Sequence, residues 1–227
     1  MSGPVGGGPE PSKSERTRAA IVGAAMTLFR ERGYEGTTMR GVAEAAGVSA
    51  GNAYYYFASK EHLVQGYYER LAEEHRAVAL PAMAASTDLG ERLRAALVSW
   101  LAVAGPYREF AGAFLSVAAR PGSPMSPFSA ESKPARESAI GVLREALAGS
   151  TVKVDAALAP ALPELLWLYH MGVVLFWVYD SSPGAARTHE LVDRSAPMVA
   201  ALVRAARWPG LRPLARQVVD LMNTLRD

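Results

Sequence analysis

Between Thr38 and Phe57 the chain reads TMRGVAEAAGVSAGNAYYYF, and side chains able to recognise a polyanion crowd into that stretch. Thr38, Arg40, Ser49, Asn52, Tyr54 and Tyr55 lie within it, and Lys60 follows closely. A helix fits the major groove of DNA. The segment Ser49–Phe57 holds no acidic residue, so phosphate does not repel it. Residues suited to bond-breaking are harder to assemble. The chain shows no Gly-rich phosphate loop, nucleophile elbow, HExxH or paired catalytic carboxylates. Glu164, Tyr169 and His170 form an acid/base set by type only, because their spacing does not align them. With four histidines (His62, His75, His170, His189) and no cysteine, no metal-ligand set emerges. No cofactor is expected, and an enzyme is disfavoured.

The elements that must present these side chains are two short helices. In the first, Val42, Ala45 and Ala46 make an apolar side at helical spacing. Gly47 supplies the positive φ where that helix stops, Val48 plugs the core under the turn, and Ser49 is a good N-cap for the second helix. Two helices joined by a short Gly-containing turn make a helix-turn-helix, although an ordinary corner between two helices gives the same pattern. The flanks have to decide.

Charge favours the first alternative. The net charge is only +2, yet Lys13 to Lys60 holds seven basic residues against four acidic ones (Glu15, Glu31, Glu35, Glu44), and Glu61–Thr87 holds two against four. Positive charge is thus concentrated around the candidate motif. At 227 residues, half of them hydrophobic, the chain can bury a sizeable core in one large or two small domains. The absence of cysteine excludes disulfides and suits a reducing cytoplasm. The start, MSGPVGGGPEPSKSE, lacks the apolar stretch of a signal peptide, and residues 1–12 read as a disordered tail.

Helical periodicity runs through the rest, and no long alternating strand appears, so the fold class is all-α. Ser14–Arg32 is amphipathic through Ile21, Ala24, Ala25, Leu28 and Phe29, with Ser14 as N-cap and Gly33 as stop. A long helix capped by Ser59 runs to about Leu80, where Pro81 should end it. Further helices are expected over Leu89–Ala104, Pro106–Ala119, Ala135–Ala148, Pro160–Asp180, Ala185–Arg207 and Leu211–Leu225. The Pro/Ser-rich segment Arg120–Lys133 is a loop. From Leu165 to Tyr179 no formal charge occurs, a run shorter than the roughly 18 residues of a membrane span, so no membrane partner is expected. A helix apolar on all sides is buried on all sides.

The run FRERGYEGTTMRGVAEAAGVSAGNAYYYFASKEHL resembles the N-terminal domain of the tetracycline-repressor (TetR) family of regulators. Carrying the resemblance are Gly33-Tyr34, Thr37-Thr38, Val42-Ala43, Ala46-Gly47-Val48-Ser49, Tyr54 to Phe57, and Ser59-Lys60-Glu61. It implies an N-terminal three-helix DNA-binding domain (13–73, motif 38–57) and a C-terminal helical ligand-binding and dimerisation domain (74–227). Thr38 would then meet a phosphate at a helix N-terminus, and Arg40 a guanine. Ser49, Ala50, Gly51 and Asn52 would form the turn that enters the groove. Ala50 and Gly51 are smaller than is usual in the family, which shifts base reading toward Arg40, Asn52 and DNA shape. Tyr54 and Tyr55 would press on phosphates or thymine methyls, and Lys60 would clamp a phosphate. For any one tyrosine, packing between helices is the competing role.

One recognition helix reads few base pairs, so the resemblance also implies a homodimer on a palindromic operator, with half-sites about 34–36 Å apart. The Pro160–Asp180 and Ala185–Arg207 helices are the expected seam. Tyr169, Val173, Phe176, Trp177, Leu191, Met198 and Leu202 are its candidates, while Trp167, Met171, Val174 and Val178 turn inward. Aromatic residues crowd the middle of the chain, and the resemblance suggests an apolar cavity lined by Trp100, Tyr107, Phe110, Phe114, Trp167, His170, Met171 and Val174. A small hydrophobic or aromatic ligand there would tilt the fourth helix and spread the recognition helices, releasing the DNA. A packed core without a cavity, a large monomer and a helical interaction module are the competing arrangements.

Overall fold

The structure is a computed structural model that describes residues 12–224, the side chains at 109, 110, 113, 212, 214, 215 and 223 excepted. The tail expected at 1–12 lies outside it apart from Ser12, as do Leu225 and the side chain of Phe110. Every regular element among the described residues is helical. Helix α1 spans Lys13–Arg32, α2 Met39–Ala45, α3 Ala50–Tyr56 and α4 Lys60–Met83. Then come α5 (Leu89–Ala104), a single 3-10 turn at Gly105–Tyr107, and α6 (Arg108–Ala118). They are followed by α7 (Lys133–Ala148), α8 (Leu162–Tyr179), α9 (Ala186–Ala205) and α10 (Arg212–Thr224).

Several helix ends differ by one to three residues from expectation, among them the start of α7, which takes in Lys133, and of α8, which begins at Leu162; two differ for a definable reason. The α1 cap is Ser12 and not Ser14: its Oγ accepts Glu15 N–H while Glu15 Oε2 accepts Ser12 N–H. That reciprocal box needs a Glu three residues after the cap, whereas the residue three after Ser14 is Thr17. Pro81 does not end α4, which continues to Met83. A proline in the last turn forfeits one hydrogen bond only, and Ala84 N–H closes the end onto Leu80 and Pro81 carbonyls.

Helices α1 to α3 pack on the N-terminal half of α4 through Ile21, Phe29, Val42, Ala53, Phe57 and Leu63. Gly66 is what lets α4 lie so close, since a Cβ there would come within 2.8 Å of Val22 and 2.9 Å of Phe57. The same apolar cluster continues without a break into α5, α6 and α8 through Leu97, Leu101, Phe114 and Trp177. A second cluster gathers the C-terminal half of α4 with α5, α7, α8 and α9.

Arg92, on α5, is buried, and among the described residues it forms no salt bridge to a carboxylate. Its guanidinium donates to the carbonyls of Met83, Ser86, Glu145 and Ala146 at 2.6–3.0 Å. These lie at the C-terminal ends of α4 and α7, where a cation is favoured by the helix dipole.

The apolar helix α8 turns a different face inward from the one expected. Leu162, Pro163, Leu166, Trp167, His170, Val173 and Trp177 are its buried residues. Val173 and Trp177, expected at the seam, are therefore core residues, only 2% and 3% exposed. A helix greasy all round has no amphipathic phase to set its rotation, so its neighbours decide. Leu168, Leu175, Phe176 and Tyr179 are left in solvent. At 18 residues and a mean hydropathy of 1.3, α8 does reach the length and composition of a membrane span, but α6, α7 and α9 pack against it. On α9 the buried stripe is small (Thr188, Val192, Ala196, Ala200, Val203), which leaves Met198 and Leu202 exposed.

Candidate nucleic-acid interface and ligand cavity

The turn between α2 and α3 is closed by a double hydrogen bond, Val48 N–H to Ala43 O (3.0 Å) and Gly47 N–H to Glu44 O (3.1 Å). This is a Schellman end, and it requires the left-handed φ of 68° found at Gly47. Thr38 and Ser49 cap the two helices, their hydroxyls accepting Gly41 and Asn52 N–H. With α3 so started, its register is set by two inward residues, Ala53 and Phe57, both nearly inaccessible. Of the residues expected to meet DNA, all but Lys60 then face out. Ser49, Ala50, Gly51, Asn52, Tyr54 and Tyr55 are exposed, and so are Thr38 and Arg40 on the neighbouring helix. Tyr55 is 82% accessible and Tyr54 53%, which packing between helices does not explain. Tyr56 is half-buried, its hydroxyl 3.2 Å from Ser14 Oγ.

Arg18 and Lys60, both of the N-terminal surplus, are occupied within the fold. Arg18 pairs with Glu69 at 2.7 Å and lies over the Phe57 ring. Lys60 donates to Tyr34 O at 3.0 Å, with its ammonium 4.3 Å from the Tyr34 ring centre. Lys60 is thus a clasp between α4 and the α1–α2 connection rather than an outward-pointing phosphate clamp. Tyr34 completes the clasp by donating its hydroxyl to Glu61 Oε1 at 2.8 Å. Burial, reinforced by that carboxylate, raises the Tyr34 phenol well above its ordinary value.

Between α4, α5, α6, α7 and α8 lies a cavity of about 160 Å³. A dry apolar cavity of roughly 150 Å³ holds a benzene-sized molecule. Trp100, Tyr107, Phe114, Trp167, His170, Met171 and Val174 stand on its wall, as expected, joined by Trp177. The expected Phe110 falls outside the described side chains. His170 is 2% exposed, and its Nε2 has no hydrogen-bond partner. The edge of Trp100 and the ring of His75 pack against it, at centroid distances of 5.1 and 6.1 Å. Burial, with a smaller contribution from His75, pushes the His170 pKa down to about 3, so the ring is neutral. His75 is also buried, and its Nε2 lies 2.9 Å from Ala96 O; burial lowers its pKa too.

Comparison with known proteins decides what this architecture is. Residues 21–67 match the profile "Bacterial regulatory proteins, tetR family", and residues 92–225 match "Tetracyclin repressor-like, C-terminal domain". The chain belongs to the TetR family. The HTH-type transcriptional regulator TtgR of Pseudomonas putida is 41% identical over 63 residues, 28% of this chain and 30% of that protein. The match therefore spans under a third of that relative's length. Thermus thermophilus FadR, a TetR-family transcriptional repressor solved with lauroyl-CoA, is 25% identical, with a TM-score of 0.58 over 85% of this chain and 98% of its own. A TetR-family regulator from Syntrophomonas wolfei has the same fold (TM-score 0.62, 18% identity, 83% and 97% covered).

The recognition helix is the part easiest to find in this sequence. Its surroundings are harder. The Ser14–Tyr56 contact brings the first turn of α1, with exposed Lys13, beside α3, and no local spacing announces that. The cavity wall contributed by α4 was also missed: Tyr67, Tyr68, Leu71 and His75 line it, although periodicity marks α4 only as a connector. The loop 120–132 is fastened to the same helix. Gln65 Nε2 donates to Pro124 O, Tyr68 OH to Met125 O, and Ser132 Oγ to Gln65 Oε1, at 2.5, 3.0 and 3.2 Å. Among the described residues no cluster of His, Asp and Glu could hold a metal ion.

Proposed function

We propose that this TetR-family chain is a dimeric, sequence-specific repressor in the cytoplasm, released from a palindromic operator when a small hydrophobic molecule enters the cavity. The observation that carries the DNA-binding half is the acid-free outer face of α3, whose asparagine and two tyrosines stand in solvent around a helix anchored by Ala53 and Phe57. Arg40 and Asn52 read base edges, and Tyr54, Tyr55 and Thr38 fix the head on the backbone. The dimer seam is formed by the apolar residues that α8 and α9 leave uncovered, Leu168, Leu175, Phe176 and Tyr179 with Met198 and Leu202. A contiguous apolar face of this kind marks an interaction surface. Tyr169 and Leu191, half-buried against the chain's own core, sit at its margin.

The cavity supports the ligand-responsive half, because its wall includes α4, the helix on which the head is mounted. An occupant meeting Tyr67, Tyr68 and Leu71 acts on that helix directly. It acts again through loop 120–132, since Tyr68 and Ser132 both line the cavity and hold that loop to α4. The ligand shifts DNA affinity only by as much as it prefers one α4 position over another. The complex of Thermus thermophilus FadR with lauroyl-CoA supports an apolar effector in this architecture. Selection of bound DNA from random sequence, followed by a salt series and a screen for release, tests the reading. A palindrome with salt-sensitive binding is expected; no retardation of any sequence at low salt overturns it.

A further inference from the structure

The cavity wall is almost wholly apolar, and among the described residues His170 Nε2 is the buried side-chain polar atom left without a hydrogen-bond partner. A buried polar atom without a partner is costly, and such atoms are few in native structures. We infer that the ligand is a neutral, hydroxyl-bearing aromatic molecule of single-ring size, whose hydroxyl bonds His170 Nε2 while its ring lies among Trp100, Phe114, Trp167 and Trp177. The inference rests on the cavity being the effector site.

Three observations select this class. The volume, about 160 Å³, takes one ring with a short substituent. His170 is held neutral by burial, so Nε2 is either an acceptor or a donor according to tautomer. A hydroxyl satisfies both, whereas a carboxylate is repelled by the lone pair of one tautomer and loses its hydration in either. Among the described residues several other polar groups on the wall are already engaged, and the Tyr67 and Tyr107 phenols also line it. His75 pairs with Ala96 O, and Tyr68 donates to Met125 O. Arg136 is the one cationic lining residue, and its Nη1 donates to the Pro127 and Ser129 carbonyls at 2.7 and 2.9 Å.

The experiment titrates the full-length protein at pH 7.5 with 4-ethylphenol, ethylbenzene and 4-methylbenzoate, read by calorimetry and by fluorescence of the cavity tryptophans. The wild type should bind 4-ethylphenol about tenfold more tightly than ethylbenzene, the worth of one net hydrogen bond to a buried group. In His170→Phe the preference should collapse to within about twofold. Nitrogen NMR of the histidine rings in the wild type gives a readout independent of that variant's folding: 4-ethylphenol should move the His170 Nε2 resonance and ethylbenzene should leave it. Equal binding of 4-ethylphenol and ethylbenzene overturns the hydroxyl assignment while leaving the cavity as an effector site. Tightest binding by 4-methylbenzoate, lost in Arg136→Met, overturns it in favour of an anionic head. No binding by any of the three overturns both the assignment and the cavity reading beneath it.

Discussion

Helices α3 and α8 both leave aromatic rings in solvent, and for opposite reasons. On α3 the exposed rings are phenols, flanked by Asn52 and Ser49, on a seven-residue helix anchored by Ala53. On α8 the exposed side chains are Leu168, Leu175 and Phe176 beside Tyr179, on a helix apolar around its whole circumference. The first surface is built to meet something wet and charged, because every ring carries a group that hydrogen-bonds phosphate or water. The second is suited to something dry. One sequence thus carries two kinds of unfinished surface, and the polar content of the exposed face tells them apart.

Four measurements test that contrast. The largest effect belongs to the dry surface. The pair Phe176→Asp and Leu202→Arg should leave a folded single subunit in sedimentation, and operator affinity should fall by about 10²–10⁴, the worth of linking two binding modules. A dimer that persists would place the seam elsewhere. On the wet surface, Arg40→Ala should cost about 1–3 kcal/mol of DNA binding and relax one base position; unchanged sequence preference in a competition assay would remove Arg40 from base reading.

The third measurement addresses the interior that both surfaces depend on. The His170 pKa is near 3 in the folded chain against an ordinary 6.5, so the unfolded chain takes up the proton first. Its contribution to stability is complete above pH 6.5 and is lost as the pH falls below that value, by roughly 1.4 kcal/mol per unit. Melting temperature should therefore fall between pH 6.5 and 5, and the fall should shrink in His170→Phe. The smallest effect is expected for Lys60→Met, which breaks the Tyr34 clasp. It should lower stability by about 0.5–1 kcal/mol and leave base preference unchanged; loss confined to one DNA sequence would restore Lys60 to the interface.

How much of this was legible in the sequence follows from the same physics. The head could be read because its rules are local. Gly47 must take a positive φ, and Ser49 and Thr38 must cap, each within a few residues of the next; the inward Ala53 was not read from the sequence. The cavity was half legible. Trp100, Phe114, Trp167 and Met171 announce a large apolar interior, but the share from α4 does not appear in any one helix's pattern. The rotation of α8 was not legible, and Val173 and Trp177 went to the wrong side. Amphipathic phase is the only rotational signal a helix carries, and α8 has none.

Arg92 has a mechanical meaning that its hydrogen bonds alone do not convey. By gripping the carbonyls of Met83 and Ser86 together with those of Glu145 and Ala146, it makes the far end of α4 a fulcrum. Twenty-four residues of helix form a rod about 36 Å long. A swing of about 5° at that pinned end carries the other end about 3 Å, close to the rise of one base pair. Replacing Arg92 by Met should remove that shared anchor, and the two helix ends it grips should then be free to part.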